Sequence, residues 1–150
     1  MQFQHGTVLP APRASVWALL MDVPTVCGCV PGVDEVVSAG DGTYQGRLRL
    51  RVGPVSLSFA GTLALDRHDE ASGSASIAVR GRDAKVAGAV AARLDLQLRE
   101  LGPNEVQLDI TTNAEIQGKL GEFGQPLIRR KTEQLMAEFA ENLRQRLLQG

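Results

Sequence analysis

The sequence predicts an α+β domain with its helices gathered on one face of a curved antiparallel sheet of about seven strands. Three observations carry this. Between residues 43 and 117 apolar residues recur at every second position. After residue 122 they follow one helical stripe without a break. The Gly/Pro pairs at 31–32, 53–54 and 102–103 fall between these periodic runs. Alternation that is apolar on one side only is the mark of antiparallel strands with one wet face.

Phe3–Leu9 reads as the first strand, ended by Pro10 and Pro12. In "PRASVWALLMDV", Val16, Leu19, Leu20 and Val23 share one helical face with Trp17 beside it, and Pro24 is expected to end the helix. "PTVCGCVPG" holds too many breakers for a full helix, so one or two turns and a Pro31–Gly32 turn are expected. "GTYQGRLRLRV" sets Tyr44, Leu48, Leu50 and Val52 against Arg47, Arg49 and Arg51. After Gly53–Pro54, "VSLSFAGTLALD" aligns Val55, Leu57, Phe59, Leu63 and Leu65 on the apolar side. "GSASIAVRG", "KVAGAVAARLDLQLREL" and "NEVQLDITTNAEIQG" repeat the alternation, and "GPNE" at 102–105 is the clearest turn.

From Glu122 to Leu148 the apolar stripe runs through Phe123, Leu127, Ile128, Leu135, Met136, Phe139, Leu143 and Leu147. At ~1.5 Å per residue this is roughly 40 Å of amphipathic helix, expected to lie on the concave apolar face of the sheet. Gly118, Gly121 and Gly124 precede and open it. A dinucleotide fingerprint needs G-x-G-x-x-G in a parallel βαβ unit, whereas here the spacing is G-x-x-G-x-x-G and no strand follows the helix. Glycine within a helix costs ~1 kcal/mol against alanine, so two in a first turn need a reason. One reason is close approach of the helix start to the sheet or first helix; the other is room for a ligand or a hinge.

The 16 basic and 17 acidic residues leave a formal charge of −1 with no run of one sign, which argues against nucleic acid as a partner. No signal-peptide pattern opens the chain and no apolar run is long enough to span a membrane. Cys27 and Cys29 are poorly spaced for a bridge and lack nearby metal ligands, so both are expected as free buried thiols in a reducing cytoplasm, with no metal site. By strand phase Arg47, Arg49, Asp95 and Asp109 point outward, while His5 and His68 read as surface residues near strand ends. No acid–base or nucleophile set converges, so no catalytic residue is assigned.

The inward set is nearly all apolar. Only four phenylalanines, one tyrosine and one tryptophan are available to plug the concave space, and Gly88, Val90 and Ala92 share the inward phase of one strand. Apolar pockets with few polar groups are the common form of small-molecule site. The candidate ligand-binding residues are therefore Leu50, Leu57, Phe59, Leu63, Val79, Val90, Ile110, Leu135, Met136, Phe139 and Leu143, with Phe59, Met136 and Phe139 expected at the centre. The alternative is a sheet that simply closes on the helix.

"VWALLMDVPTVCGCVPGVDEV", "YQGRLRLRVGPVSLSFAGTLAL" and "IQGKLGEFGQPLI" followed by the Phe139 helix resemble the CoxG family, the G-type subunits of carbon monoxide dehydrogenase, within the START-like (SRPBCC, helix-grip) superfamily. The resemblance spans nearly the whole chain and implies a single START-like domain at 1–150 with an apolar ligand held between sheet and C-terminal helix. It further implies a non-catalytic carrier or adaptor for a lipophilic quinone or lipid, without a covalently bound cofactor. Such a protein would serve a molybdenum-containing oxidoreductase of the carbon monoxide dehydrogenase kind. Many family members carry an additional membrane-anchoring tail; with Gly150 ending the long helix, peripheral contact at the inner membrane face is expected rather than permanent attachment. Two other readings stay open: a ligand-free docking or assembly subunit, and a START-like cyclase-type enzyme. The Arg47, Arg49 and Arg51 row beside Ser56 and Ser58 reads either as a solvated face or as a docking surface.

Overall fold

The computed structural model describes residues 1–83, 85 and 88–149. In chain order it places strand β1 (Gln2–Leu9), helices α1 (Arg13–Met21) and α2 (Val23–Cys27), and strands β2 (Val33–Gly40), β3 (Thr43–Val52) and β4 (Val55–Asp69). Strands β5 (Ser74–Asp83), β6 (Gly88–Gly102) and β7 (Glu105–Gly118) follow, then a 3-10 turn (Lys119–Phe123) and helix α3 (Gln125–Gln149). The strands form one seven-stranded antiparallel sheet in the order β1-β7-β6-β5-β4-β3-β2. The curved sheet, early short helices and long closing helix are those predicted. Val86 and Ala87, read as the start of the β6 alternation, lie outside the described residues.

Hydrogen-bonded register aligns the inward residues in rows across the sheet. Tyr44, Leu63, Val79, Ala92 and Ala114 form one row, and Leu65, Ile77, Leu94, Thr112 and Phe3 the next. A neighbouring row runs Gly46, Gly61, Gly81, Val90, Ile116. An added Cβ at Gly61 would lie 2.1 Å from the Arg80 carbonyl oxygen and 2.9 Å from the Gly81 Cα, so β4 and β5 approach there as only glycine allows. Three successive glycines on one row leave the backbone free to bend over the concave side. Gly61→Ala is expected to cost about 1–3 kcal/mol by forcing the strands apart, read as a lower urea midpoint. A parent-like midpoint would show that the sheet yields freely at this row.

The helices differ from expectation in two places. Pro24 does not end the first helix: α1 stops at Met21, and Pro24 sits in the first turn of α2, where its missing N–H costs nothing. The closing helix starts at Gln125 rather than Glu122 because Gly118 (φ 74°, ψ −157°) and Gly124 (φ 83°, ψ 149°) bracket the 3-10 turn. Both lie in a backbone region that is essentially glycine's alone.

The expected close approach at Gly121 and Gly124 is not found. A Cβ at Gly121 would meet nothing within 4 Å, and one at Gly124 only the Pro126 ring at 3.9 Å. The close approach is instead at Gly88, whose Cβ would sit 2.6 Å from that of Leu120. Gly121→Leu should therefore change stability by no more than ~0.5 kcal/mol. Gly124→Ala should cost about 1–3 kcal/mol through backbone strain. Urea denaturation of the pair checks this; equal losses would contradict it.

The apolar interior divides in two. The larger cluster joins β1, α1 and the second half of β6 to β7 and α3 through Leu9, Val16, Trp17, Leu20, Leu96, Leu98, Val106, Leu108, Ile110 and Leu143. The smaller gathers Val52, Leu57 and Leu120 at the β3–β4 hairpin and 3-10 turn.

Candidate functional site

Helix α3 is amphipathic but buries few of its residues: Ala140 and Leu143 are buried, whereas Leu135, Met136 and Phe139 are half-buried. Its backbone comes nearest to β1, and at its start to β3 and the 3-10 turn. Polar contacts fasten it along β1 at both ends. Arg129 stacks over Phe3, 4.9 Å from the ring centroid, and donates to the Gln2 carbonyl at 3.4 Å. Arg144 donates to Thr7 Oγ1 at 3.1 Å and to the Val8 carbonyl at 3.4 Å, while Asn142 donates to the Cys29 carbonyl at 2.8 Å.

The middle of the sheet is covered less completely. Leu63, Leu65, Ile77, Val79 and Leu94 on the concave side are all half-buried, and Leu63, Val79 and Leu135 belong to neither apolar cluster. Apolar side chains on the concave sheet and on α3 that keep solvent access are packed less completely than those of a core. Side chains at the centre of this face are small: Ala92 and Ala114 share the row of Val79, and Gly81 stands beside it.

Of the sequence-predicted site residues, Leu57 (3% exposed), Ile110 (3%) and Leu143 (0%) are buried, and they serve the core. Leu50, Phe59, Leu63, Val79, Val90, Leu135, Met136 and Phe139 are half-buried. The expected centre divides between the clusters: Phe59 packs on the hairpin cluster, as do Leu50 and Val90, whereas Met136 and Phe139 pack on the larger one.

His5 corrects a sequence reading. It lies mid-β1, opposite Ile110 and in phase with Phe3, Thr7 and Leu9, so it faces the concave side half-buried; His68 is exposed near the end of β4. Neither His5 nor the largely buried Thr112, diagonally across the β1–β7 pair, makes a side-chain hydrogen bond among the described residues. The period-two phase of β1 is the signal that places His5 there. Arg47, Arg49, Asp95 and Asp109 point to the convex side as predicted.

Two surface depressions have definite volumes. One, about 540 Å³, lies over β5–β7 around Ala78, Ala91 and Arg93, and the other, about 410 Å³, lies between Pro10–Pro12 and the Arg146–Leu147 end of α3. Val79 is the one candidate residue that borders either. Cys27 and Cys29 are free buried thiols; burial pushes both up, with Cys29 raising Cys27 further and Arg146 opposing the shift at Cys29. No group of three potential metal-ligating side chains occurs among the described residues, and no helix there is long and apolar enough to cross a membrane.

Residues 7–148 match the CoxG family, the carbon monoxide dehydrogenase G-type subunits. The chain belongs to the CoxG family. No curated protein matches it. Among solved structures, a conserved protein from Geobacillus kaustophilus superposes with a TM-score of 0.90 at 19% identity, covering 99% of this chain and 96% of that one. A START superfamily protein from Mycobacterium smegmatis gives 0.69 at 12% identity, covering 99% and 97%. The Zhui aromatase/cyclase from a Streptomyces species gives 0.69 at 18% identity, covering 98% and 93%. These likenesses show the START-like fold, and CoxG is an accessory-subunit family of carbon monoxide dehydrogenase systems. A ligand-binding role is what this family and fold suggest together.

Proposed function

We propose that this CoxG chain is a non-catalytic carrier or adaptor that holds a lipophilic molecule, a quinone or a lipid, in the concave groove. The observation that carries this is that apolar residues of the concave sheet, Leu63 and Val79, and of α3, Leu135 and Met136, are only half-buried. Leaving such side chains wet forgoes ~25 cal/mol per Å² that an apolar ligand would recover. His5 and Thr112 supply hydrogen-bonding groups on the same face, suited to a quinone oxygen at one end of an otherwise apolar guest. Membership of the CoxG family supports a molybdenum-containing oxidoreductase of the carbon monoxide dehydrogenase kind as the protein served, in the cytoplasm and in peripheral contact with the inner membrane face.

The Zhui likeness supports a second reading, a cyclase-type enzyme, because His5 and Thr112 bring polar groups to the same concave side. Equilibrium titration with a decyl-substituted benzoquinone, followed through Trp17 in the larger cluster, tests the carrier reading. Saturable binding with the quinone recovered unchanged is expected. Chemical turnover of a bound polyketide-like probe would favour the enzyme, and no response to any apolar probe would leave a docking subunit.

A further inference from the structure

The convex face carries a charge pattern that the groove does not use. Arg47, Arg49 and Arg51 project from β3, and Arg80 and Arg82 from β5, all on the solvent side of the sheet. Register sets Arg47, Ala60, Arg82 and Ala89 in one row and Gln45, Thr62, Arg80 and Ala91 in the next, with Ser58 and Ser56 beside Arg49 and Arg51 beyond the β4–β5 pairing. The two arginine runs are therefore staggered and meet at Arg47 and Arg82, two strand spacings or roughly 10 Å apart across Ala60, so that they flank a diagonal trough floored by small β4 side chains.

Few of these charges are satisfied within the chain. Arg51, Arg80 and Arg82 are exposed and make no hydrogen bond or ion pair among the described residues. Arg47 reaches Ser58 Oγ at 3.2 Å and Glu35 at 4.0 Å, and Arg49 reaches Asp34 at 3.6 Å. The Glu35 carboxylate is 74% exposed and the Arg49 side chain 67%, so both pairs are solvent-screened and exchangeable. In a chain of formal charge −1, this is a local concentration of positive charge.

We propose that this trough docks an acidic segment of a partner protein, its carboxylates paired with arginines on both sides. Guanidinium forks match carboxylates bidentately, and arginine is enriched at protein interfaces. A membrane surface fits less well. Peripheral lipid binding joins basic charge to inserted Trp, Phe or Leu, and between these arginines stand only Ser, Ala and Thr. Nucleic acid fits less well too, since the trough offers no aromatic side chain for base stacking. The proposal is independent of what the concave groove holds.

The test is fluorescence polarisation of a labelled octaglutamate peptide with the full chain at low ionic strength. The Arg80→Gln/Arg82→Gln double variant is compared with Arg130→Gln/Arg146→Gln, which removes the same charge from exposed positions on α3. The peptide should bind, weaken as salt screens the contact, and lose about tenfold in affinity in the β5 variant but less than about twofold in the α3 variant. Equal losses in both variants, no peptide binding, or binding of phosphatidylserine vesicles or single-stranded DNA in preference to the peptide would each overturn the proposal. Unchanged thermal melting of both variants keeps the comparison one of surface chemistry.

Discussion

Met136→Trp is expected to weaken binding of a decyl-substituted benzoquinone by about tenfold or more, a loss of ~1.4 kcal/mol, while leaving the fold in place. Met136 is half-buried and packs on the larger apolar cluster, and on the carrier reading its exposed part borders the guest. Methionine re-packs around guests of different shape because it is unbranched and polarizable. An indole there is larger and rigid, and at a half-buried position it can extend toward solvent as well as the core. Its cost to stability should accordingly stay below the ~1–3 kcal/mol of overpacking a closed interior. Titration and urea denaturation of the same preparation separate the two effects. Parent-like affinity in this variant would place the site away from the middle of α3.

Leu57→Asp should do the opposite, damaging the fold first. Leu57 is 3% exposed, pairs with Leu50 across the β3–β4 hairpin, and packs with Val52 and Leu120. An unpaired charge there costs about 3–5 kcal/mol, a large share of the ~5–15 kcal/mol that stabilises a typical domain. Burial also favours the neutral acid, so part of the penalty is taken as an upward shift of the new carboxyl. The loss should therefore shrink as pH falls toward 4 and the carboxyl protonates. Leu57→Ala, expected to cost about 2–5 kcal/mol with no pH dependence, separates lost packing from buried charge. Urea midpoints near pH 7 and pH 4 check both, and an Asp variant as stable as the parent at pH 7 would mean that the hairpin cluster opens to water.

The strands are legible because period-two alternation is written directly in the residue types: Leu48, Leu50 and Val52 against Arg47, Arg49 and Arg51 leave one way to face the core. What the alternation hides is curvature. Gly46, Gly61 and Gly81 sit inside otherwise regular runs and align only once register is known, so the bend they permit is invisible to a pattern read strand by strand. That bend bears on the candidate site, since it lies between the hairpin cluster of Phe59 and the larger cluster of Met136 and Phe139. Nor does glycine spacing alone distinguish a close approach from a special backbone angle. Gly118 and Gly124 prove to be the second kind and shorten the helix to start at Gln125, whereas the close approach belongs to Gly88. For His5 the signal lies in the phase of β1, which nearness to the start of the chain masks.

The carrier function requires an apolar guest on the concave side, between the sheet and α3. Methyl NMR of the labelled protein, titrated with the decyl-substituted benzoquinone, tests it most directly. Saturable shifts are predicted in Leu63, Val79, Leu135 and Met136, with little change at the exposed Val37, Leu101 and Leu148. Shifts confined to those three exposed residues, or none at saturating quinone, would contradict it.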